Sequence, residues 1–401
     1  MRKYVGIIKK TFIFIALSCI IMLTVTSCAK KRILVIDEPD SKGTEKITET
    51  SEIGETGESS DKTEDTEINL PDKPSYETLP ETMETIDGVP PGEVVDGSLV
   101  FELDSSKTYY IVVDYIGAAE SVSIPATHNG KPVREIGERA FENSIVSSVI
   151  IPSGVDTIGD YAFYYCAQLE SVTLPDSVTY MGEAAFAQCH SLASVDTGKG
   201  LKYVGAFAFL HCRNLSNIYL SSVIDYIGDD AFQDTAYYND EANWRKGVLY
   251  MFNANYVIEG KTDIEGKLFV GTHQTRLIAA NAFYGANKIT HVDISYGIST
   301  ICQGAFSSCT SLKSIQISMY YAGASGITRI EDGAFASCDA LEAVFYSGNK
   351  LDEQGNIIRN DIDIGENNEA LKNATWYEHS PDAPTKPGNY YRYVDGVPTP
   401  W

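Results

Sequence analysis

The sequence has 401 residues, of which 55 are acidic and 31 are basic, so its formal net charge is -24. This excess of carboxylates argues against nucleic acid or an anionic lipid surface as the main partner, because both need clustered lysine and arginine. Hydrophobic residues make up 43% and charged residues 21%. The chain can therefore build a core and is not a disordered or collagen-like polymer as a whole.

The charge is distributed unevenly and divides the chain into three regions. Residues 1–36 contain seven basic and no acidic side chains, residues 37–96 contain four basic and nineteen acidic ones, and the remainder contains twenty and thirty-six. The sequence thus predicts a basic targeting segment, an acidic segment and a folded region that begins near residue 97.

Residues 1–27 have the pattern of an export signal, in which a basic start precedes an apolar run at residues 11–26. That run is shorter than the roughly 20 residues of a membrane-spanning helix. It ends in Val25-Thr26-Ser27-Cys28, which resembles the bacterial lipoprotein box. The resemblance implies cleavage before Cys28, lipidation of its sulfur, and anchoring of the exported protein to the outer face of the bacterial cell membrane. An uncleaved signal anchor is the alternative, because Lys30, Lys31 and Arg32 follow directly.

Residues 28–96 are predicted to form a disordered acidic tether. The stretch 37–96 is rich in Glu, Thr and Ser and has no apolar face. A flexible chain of this length reaches on the order of 40 Å. We interpret it as a spacer that holds the folded region away from the membrane; an acidic interaction tail is the alternative.

An Ala-Phe pair recurs along the folded region, and its phenylalanines are Phe141, Phe163, Phe186, Phe209, Phe232, Phe283, Phe306 and Phe335. Their spacings are 22, 23, 23, 23, 51, 23 and 29 residues. An aliphatic residue or Met lies five residues before each Phe, and Cys lies three residues after it in five copies. We interpret each copy as one coil of short strand, Gly-Asp turn and short helix. One coil buries too little apolar surface to fold alone, so the coils must stack into a solenoid.

These residues resemble the BspA-like leucine-rich repeats of bacterial surface proteins, whose pattern is L-x-x-V-x-L-P-x-x-V-x-x-I-G-x-x-A-F-x-x-C. The resemblance covers roughly residues 121–346. It implies an α/β repeat solenoid, a right-handed leucine-rich repeat coil with a parallel concave sheet and short helices, preceded here by the disordered tether. It also implies export, and some members of the family act as adhesins.

The spacing of 51 residues predicts an insertion in the solenoid, which we place at residues 97–346. Two apolar runs, 247–252 and 256–259, flank Asn253-Ala254-Asn255 and predict a projecting hairpin within 236–266. The aromatic residues of this insert form either a covered mini-core or part of a binding edge. The opening end is expected to be capped by residues 100–115, and residues 347–401 are expected to form a C-terminal cap and tail.

The sequence offers little for catalysis or metal binding. Cys166, Cys189 and Cys212 occupy one column of the repeat, which favours reduced core thiols over disulfides. His190 and His211 lie near that column but at different offsets from Phe, so no metal site is expected. The six histidines have no hydrolase or phosphate-binding context, and we expect a non-catalytic protein without cofactors.

Recognition of a partner is the function class that is left. The strand residues between the apolar columns are the candidates for contacting that partner. The predicted binding residues of the concave face are Ile150, Thr173, Asp196, Tyr219, His291, Asp293, Gln316 and Phe345. Such a mostly neutral surface suits an extracellular protein or glycan. The sequence therefore predicts a monomeric, adhesin-like recognition module. A structural or assembly protein of the bacterial envelope that binds a partner from its own cell is the alternative.

Overall fold

The structure is a computed structural model that describes residues 98–317, 326–347, 350–351, 357–358, 362–380, 382–385, 387–395 and 397–401. The predicted signal peptide, the predicted lipidation site Cys28 and the predicted acidic tether lie outside the described residues. The described chain is a β-solenoid that consists of two stacks of coils with a hairpin between them.

The first stack contains short strands that are mostly parallel to their neighbours. In chain order these are β1 (Leu99–Leu103), β2 (Tyr110–Tyr115), β3 (Ser121–Ser123), β4 (Thr127–His128), β5 (Lys131–Ile136), β6 (Ser148–Ile150), β7 (Thr157–Ile158), β8 (Ser171–Thr173), β9 (Tyr180–Met181), β10 (Ser194–Asp196), β11 (Tyr203–Val204), β12 (Asn217–Tyr219) and β13 (Tyr226–Ile227). The antiparallel pair β1–β2 opens the stack, because β2 pairs in parallel with β5.

The insert that follows contains helix α1 (Ala236–Asn239), a 3₁₀ turn at Glu241–Asn243 and strands β14 (Trp244–Arg245), β15 (Val248–Met251) and β16 (Tyr256–Gly260). The second stack contains β17 (Gly266–Val270), β18 (Leu277–Ile278), β19 (Ile289–Ile294), β20 (Thr300–Ile301), β21 (Ser314–Ile317), β22 (Arg329–Ile330) and β23 (Ala343–Tyr346). The C-terminal part contains β24 (Lys350–Leu351), β25 (Ile357–Ile358), β26 (Asp363–Ile364), α2 (Glu369–Asn373), β27 (Thr375–His379), β28 (Tyr390–Val394) and β29 (Val397–Pro400).

Each stack has two faces built from strands. The strands of the Leu-x-x-Val-x-Leu segments pair in the order β8-β10-β12 in the first stack and β17-β19-β21-β23-β27 in the second; we call their solvent side the sheet face. The two-residue strands that end at the apolar position before Gly form a second parallel ladder, β5-β7-β9-β11-β13 and later β16-β18-β20-β22-β26. The 23-residue repeat pattern alone did not predict this second ladder.

The phenylalanine column forms a continuous stacked spine in each half. Ring centroids of Phe141, Phe163, Phe186, Phe209 and Phe232 follow one another at 4.9, 4.9, 5.6 and 5.5 Å, and the rings are nearly parallel. Every spine phenylalanine is buried. Phe209 is in the spine and Phe207 is only half-buried, which confirms the predicted register of the fourth coil.

The prediction of a short helix in each coil is wrong. The residues two before and two after each spine Phe have positive φ, as in Tyr161 (57°) and Tyr165 (58°) around Phe163. Left-handed residues at this spacing interrupt the run of negative φ angles that an α-helix requires. Their N–H groups instead donate to the next coil, so that Tyr161 N bonds to Glu183 O and Tyr165 N to Ala187 O. We call the residues from three before to four after each spine Phe the turn face.

The hairpin β15–β16 is present, but the prediction that it projects is wrong. Its two faces are buried in different cores: Leu249, Met251, Tyr256 and Ile258 pack in the first stack, and Val248, Tyr250 and Val257 pack in the second. Strand β16 also pairs in parallel with β18. The hairpin is therefore a shared layer between the two cores, and its aromatic residues belong to these cores rather than to an exposed edge.

Candidate functional site

The register of the strands brings most of the predicted binding residues into rows on the sheet face. In the first stack Asp196 lies between Thr173 and Tyr219 on neighbouring parallel strands. Ile150 lies opposite Ser123 in the pair β3–β6. Ile150 and Tyr219 are exposed, at 42% and 39%. The first-stack row therefore presents two separate apolar side chains among small polar ones.

In the second stack the corresponding row is Phe269, Asp293, Gln316, Phe345 and Tyr377, on five adjacent parallel strands. Phe269 is absent from the set predicted from sequence, because the insert interrupts the 23-residue spacing before it. In the structure Lys267-Leu268-Phe269-Val270 alternates exposed and buried side chains and places Phe269 in register with Asp293. The sequence does not reveal this alternation, because Leu268, Phe269 and Val270 are all apolar.

Phe269 is the most exposed of the described aromatic side chains, at 61%. The Lys267 Nζ atom lies 4.7 Å from the centre of its ring and 2.9 Å from Asp293 Oδ2. A lysine in this geometry holds the aromatic ring and the carboxylate side by side. Burial raises the pKa of Asp293 above its ordinary value, and the contact with Lys267 opposes that shift.

His291 lies beside this cluster on β19, opposite Lys267 on β17. Its side chain is exposed, and its Nδ1 atom is 2.8 Å from Thr290 Oγ1. We call Lys267, Phe269, His291 and Asp293 the sheet-face site. It combines an exposed aromatic ring with a cation, a carboxylate and an imidazole on two adjacent strands.

Two of the predicted residues lie under the C-terminal strands. Phe345 is only 9% exposed, because its ring stacks on Tyr377 at 5.3 Å and meets the edge of Tyr391 at 5.2 Å. Gln316 Nε2 donates to the Tyr393 hydroxyl at 2.7 Å. The expectation that Phe345 lines an open surface is therefore wrong. The periodicity of the repeats carries no information on where β28 lies.

The cysteine column is a set of buried thiols. Each Sγ donates to the backbone carbonyl of the spine Phe in the preceding coil, at 3.0 Å for Cys166 and Phe141, 3.2 Å for Cys189 and Phe163, 3.0 Å for Cys212 and Phe186, 3.3 Å for Cys309 and Phe283, and 3.1 Å for Cys338 and Phe306. All five, and Cys302, are free. Burial raises the pKa of Cys166 to about 11, so these sulfurs are core groups rather than nucleophiles.

The histidines near that column have separate partners. His211 Nδ1 lies 2.9 Å from Asp234 Oδ2, which also accepts from Arg213 Nε at 3.0 Å. The His190 ring packs edge-on against Tyr165 at 5.8 Å. Within the described ranges, no group of three or more His, Cys, Asp or Glu side chains is arranged to hold a metal ion.

The family model for the BspA type leucine rich repeat region matches residues 120–240 and 269–360 in six copies. These two ranges together span more than half of the 401 residues. The chain belongs to the BspA-type leucine-rich repeat family. The BspA-type match ends before the strands β27, β28 and β29 that cover Phe345.

Solved structures of bacterial leucine-rich repeat proteins are similar to this BspA-type chain. A leucine-rich repeat protein from T. pallidum is 20% identical, with a TM-score of 0.34, and the match covers 62% of this chain and 91% of that one. A leucine-rich cell surface protein from Faecalibacterium prausnitzii is 25% identical, with a TM-score of 0.31 and coverage of 68% and 93%. A leucine-rich repeat protein from Bacteroides capillosus is 30% identical over 31% of this chain and 94% of that one, with a TM-score of 0.28.

No curated protein matches this BspA-type chain. In the part of the chain that the structure describes, neither helix has the length and apolar character needed to cross a bilayer.

Proposed function

We propose that this protein is an exported recognition module, anchored by lipid at Cys28 to the outer face of a bacterial cell membrane. It binds an extracellular protein or glycan through its sheet face and carries out no chemical reaction. The sheet face is the concave side of a right-handed coil, and the module acts as a monomer. Membership of the BspA-type family supports a role in interaction, and the lipoprotein box supports the anchor.

The observation that carries the proposal is the exposure of Phe269 beside Lys267 and Asp293. The Phe269 side chain is 61% exposed to solvent, whereas every spine phenylalanine is buried. Recognition sites in proteins commonly combine such a ring with a few fixed polar groups. The salt bridge at 2.9 Å holds these polar groups in place before a ligand arrives.

Binding is tested with the full-length chain in a mild detergent, applied to an array of glycans and extracellular matrix proteins. We expect at least one ligand whose binding weakens more than about fivefold in Phe269→Ala, the loss that truncating one important aromatic contact produces. Tyr284→Ala is the matched control, because Tyr284 is 54% exposed but lies on the turn face. Equal effects of the two variants would remove the sheet face as the binding surface.

Display on the cell surface is tested by protease treatment of intact cells. Loss of the solenoid supports outward display and the adhesin-like function. Complete protection would contradict it and would favour the second candidate, an envelope assembly protein that binds a partner inside the wall.

A further inference from the structure

The two stacks fill the same backbone positions of the turn face with different residues. Every coil has a left-handed residue two before and two after its spine Phe. In the second stack these positions hold Asn281, Gly285, Gly304, Ser308, Gly333 and Ser337. In the first stack four of them hold the aromatic residues Tyr161, Tyr165, Phe207 and His211.

The aromatic residues are unfavourable choices for the backbone at these positions. Left-handed φ angles near 60° are most accessible to Gly and next to Asn or Asp, and bulky side chains adopt them rarely. The second stack shows that the coil forms without any aromatic group there. Non-glycine residues held in sparsely populated backbone regions occur preferentially at functional sites.

Tyr161, Tyr164 and Tyr165 form one aromatic surface, which we call the tyrosine patch. The Tyr161 and Tyr164 rings meet at 5.7 Å and 72°, and the Tyr164 and Tyr165 rings are 6.5 Å apart. Tyr165 is 44% exposed. The patch therefore presents ring surface to solvent on the turn face of the first stack, whereas the sheet-face site belongs to the second stack.

Carboxylates surround the tyrosine patch. The sequence positions three before each spine Phe place Glu138, Asp160 and Glu183 on successive coils, and all three are exposed. Glu142 adds a fourth carboxylate on the same surface, and Arg139 is the cation among them. The Tyr161 hydroxyl donates to Glu183 Oε1 at 2.6 Å, so this carboxylate lies directly at the edge of the Tyr161 ring.

The contacts of Arg139 show that this surface can bind a guanidinium group. Its guanidinium lies 4.5 Å from the centre of the Tyr161 ring, and its Nη1 atom is 2.8 Å from Glu142 Oε1. A guanidinium between a ring face and a carboxylate gains from both the ring quadrupole and the charge pair. The Tyr165 ring is not among those that an arginine of the described chain covers in this way.

We propose that the tyrosine patch is a second interaction surface, which binds an arginine-bearing segment of a partner protein. The partner's guanidinium groups stack on Tyr164 and Tyr165 and pair with Glu142 and Asp160. A second copy of this chain fits the surface poorly, because each copy carries a net charge of -24. This surface is independent of the sheet-face site.

The probe is a fluorescein-labelled twelve-residue peptide of alternating arginine and glycine, titrated with the full-length chain in a mild detergent. We expect binding that weakens as salt is raised, a weaker signal for the lysine-glycine peptide because ammonium groups stack less well, and none for the glutamate-glycine peptide. Tyr165→Gly should weaken the arginine peptide about five- to tenfold, as loss of a cation–π contact predicts.

The same variant separates a binding role from a structural one. Because glycine accepts a φ of 58° without strain, Tyr165→Gly should keep the melting temperature or raise it by up to about 3 °C. Ser308→Gly is the matched control: it changes the equivalent position of the second stack, where φ is 62°, and should leave peptide binding unchanged.

Four results would overturn the proposal. The first is failure of the arginine peptide to bind, and the second is equal binding of the arginine and lysine peptides. The third is a loss of binding in Phe269→Ala but not in Tyr165→Gly, which would move the interaction to the sheet face. The fourth is self-association of the chain that Tyr165→Gly abolishes, which would make a second copy the partner. Failure of the sheet-face proposal alone would leave the peptide result intact.

Discussion

The Oδ1 atom of Asn368 accepts a hydrogen bond from the backbone N–H of Phe335 at 2.9 Å. In the two preceding coils of the second stack the same N–H of the spine Phe donates to a backbone carbonyl of the next coil, from Phe283 N to Ala305 O and from Phe306 N to Ala334 O, both at 2.7 Å. The asparagine side chain therefore takes the place of the turn-face carbonyl that a further repeat would supply, although strands β26 and β27 continue the two sheets. Its Nδ2 atom donates to the carbonyls of Glu331, Gly365 and Glu366, which fixes the amide in this position.

Replacement of this amide should destabilise the C-terminal end of the solenoid. Asn368 is fully buried, so Asn368→Ala leaves the Phe335 N–H buried without an acceptor, which costs about 2 to 4 kcal/mol of unfolding free energy. Urea unfolding measures this loss, and amide exchange at Phe335 should speed up. Asn373→Ala is the control, since Asn373 is exposed at the end of α2. Equal stability of the two variants would show that Asn368 does not cap the stack.

A second prediction concerns how the stability of the fold depends on pH through Asp104, in the turn between β1 and β2. The Asp104 carboxylate accepts hydrogen bonds from the N–H groups of Ser106, Thr108 and Tyr109 at 2.7, 2.6 and 2.8 Å. Burial alone would raise the pKa of Asp104, but the Ser106 hydroxyl, which also donates to the carboxylate, and these three N–H groups together hold it well below its ordinary value. A carboxylate whose pKa is lower in the folded state stabilises the fold above its unfolded pKa of about 4 and loses that contribution as the pH falls.

Asp104→Asn should therefore be less stable than the parent at pH 7, and the difference should shrink as the pH falls below about 4. Thermal melts from pH 7 downward measure the two curves. Asp114→Asn, at an exposed position on β2, should show a smaller difference across that range. A gap between Asp104→Asn and the parent that stays constant with pH would contradict the assigned role.

The repeat pattern predicted the core more reliably than the path of the backbone. Burial of the apolar side chain requires one residue per coil at a fixed position, so the spacing of Phe186 and Phe209 placed their rings correctly. The helix prediction failed because the segment around each Phe also satisfies its backbone groups between coils. Asn143, Asp230, Asp234 and Gly304 occupy left-handed positions. Asn, Asp and Gly adopt the left-handed conformation more readily than other residues, so the left-handed turns could have been predicted from the sequence.

Features outside the repeat could not be predicted in the same way. Neither the burial of Tyr256 in the first core nor the cover of Tyr391 over Phe345 follows from a 23-residue period. The Tyr256 hydroxyl donates to Ser221 O across 35 residues, and the Gln316 amide to the Tyr393 hydroxyl across 77. Long-range contacts of this kind depend on how the chain returns to the stack, which local propensity does not determine.

A third prediction concerns the chemistry of the cysteine column. Cys166, Cys189, Cys212, Cys302, Cys309 and Cys338 are fully buried, and their sulfurs need to become accessible thiolates before they react. Iodoacetamide at pH 8 should leave all six unmodified in the folded protein and label all six in urea, as followed by peptide mass spectrometry. Rapid labelling of Cys189 in the folded protein would show that the first stack opens at its centre.

The last prediction concerns how the two stacks are joined. Two arginines of the second stack reach the turn that follows β12: Arg276 Nη1 donates to Ser222 O at 2.8 Å, and Arg329 Nη2 donates to Asp225 O at 3.0 Å. Arginine bonds to backbone carbonyls stabilise by about 1 to 2 kcal/mol each. A solenoid unfolds as one unit only while the interface between its parts is strong enough to couple them.

The double variant Arg276→Ala/Arg329→Ala should therefore separate the unfolding of the two stacks. Urea titration followed by hydrogen exchange should give different midpoints for amides of β10 and β21, where the parent gives one. Lys313→Ala is the control, because Lys313 is exposed and lies away from this turn in sequence. If the double variant keeps a single transition like that of Lys313→Ala, the shared hairpin β15–β16 and the packing of Ala280 and Cys302 in the first core couple the two stacks without these arginines.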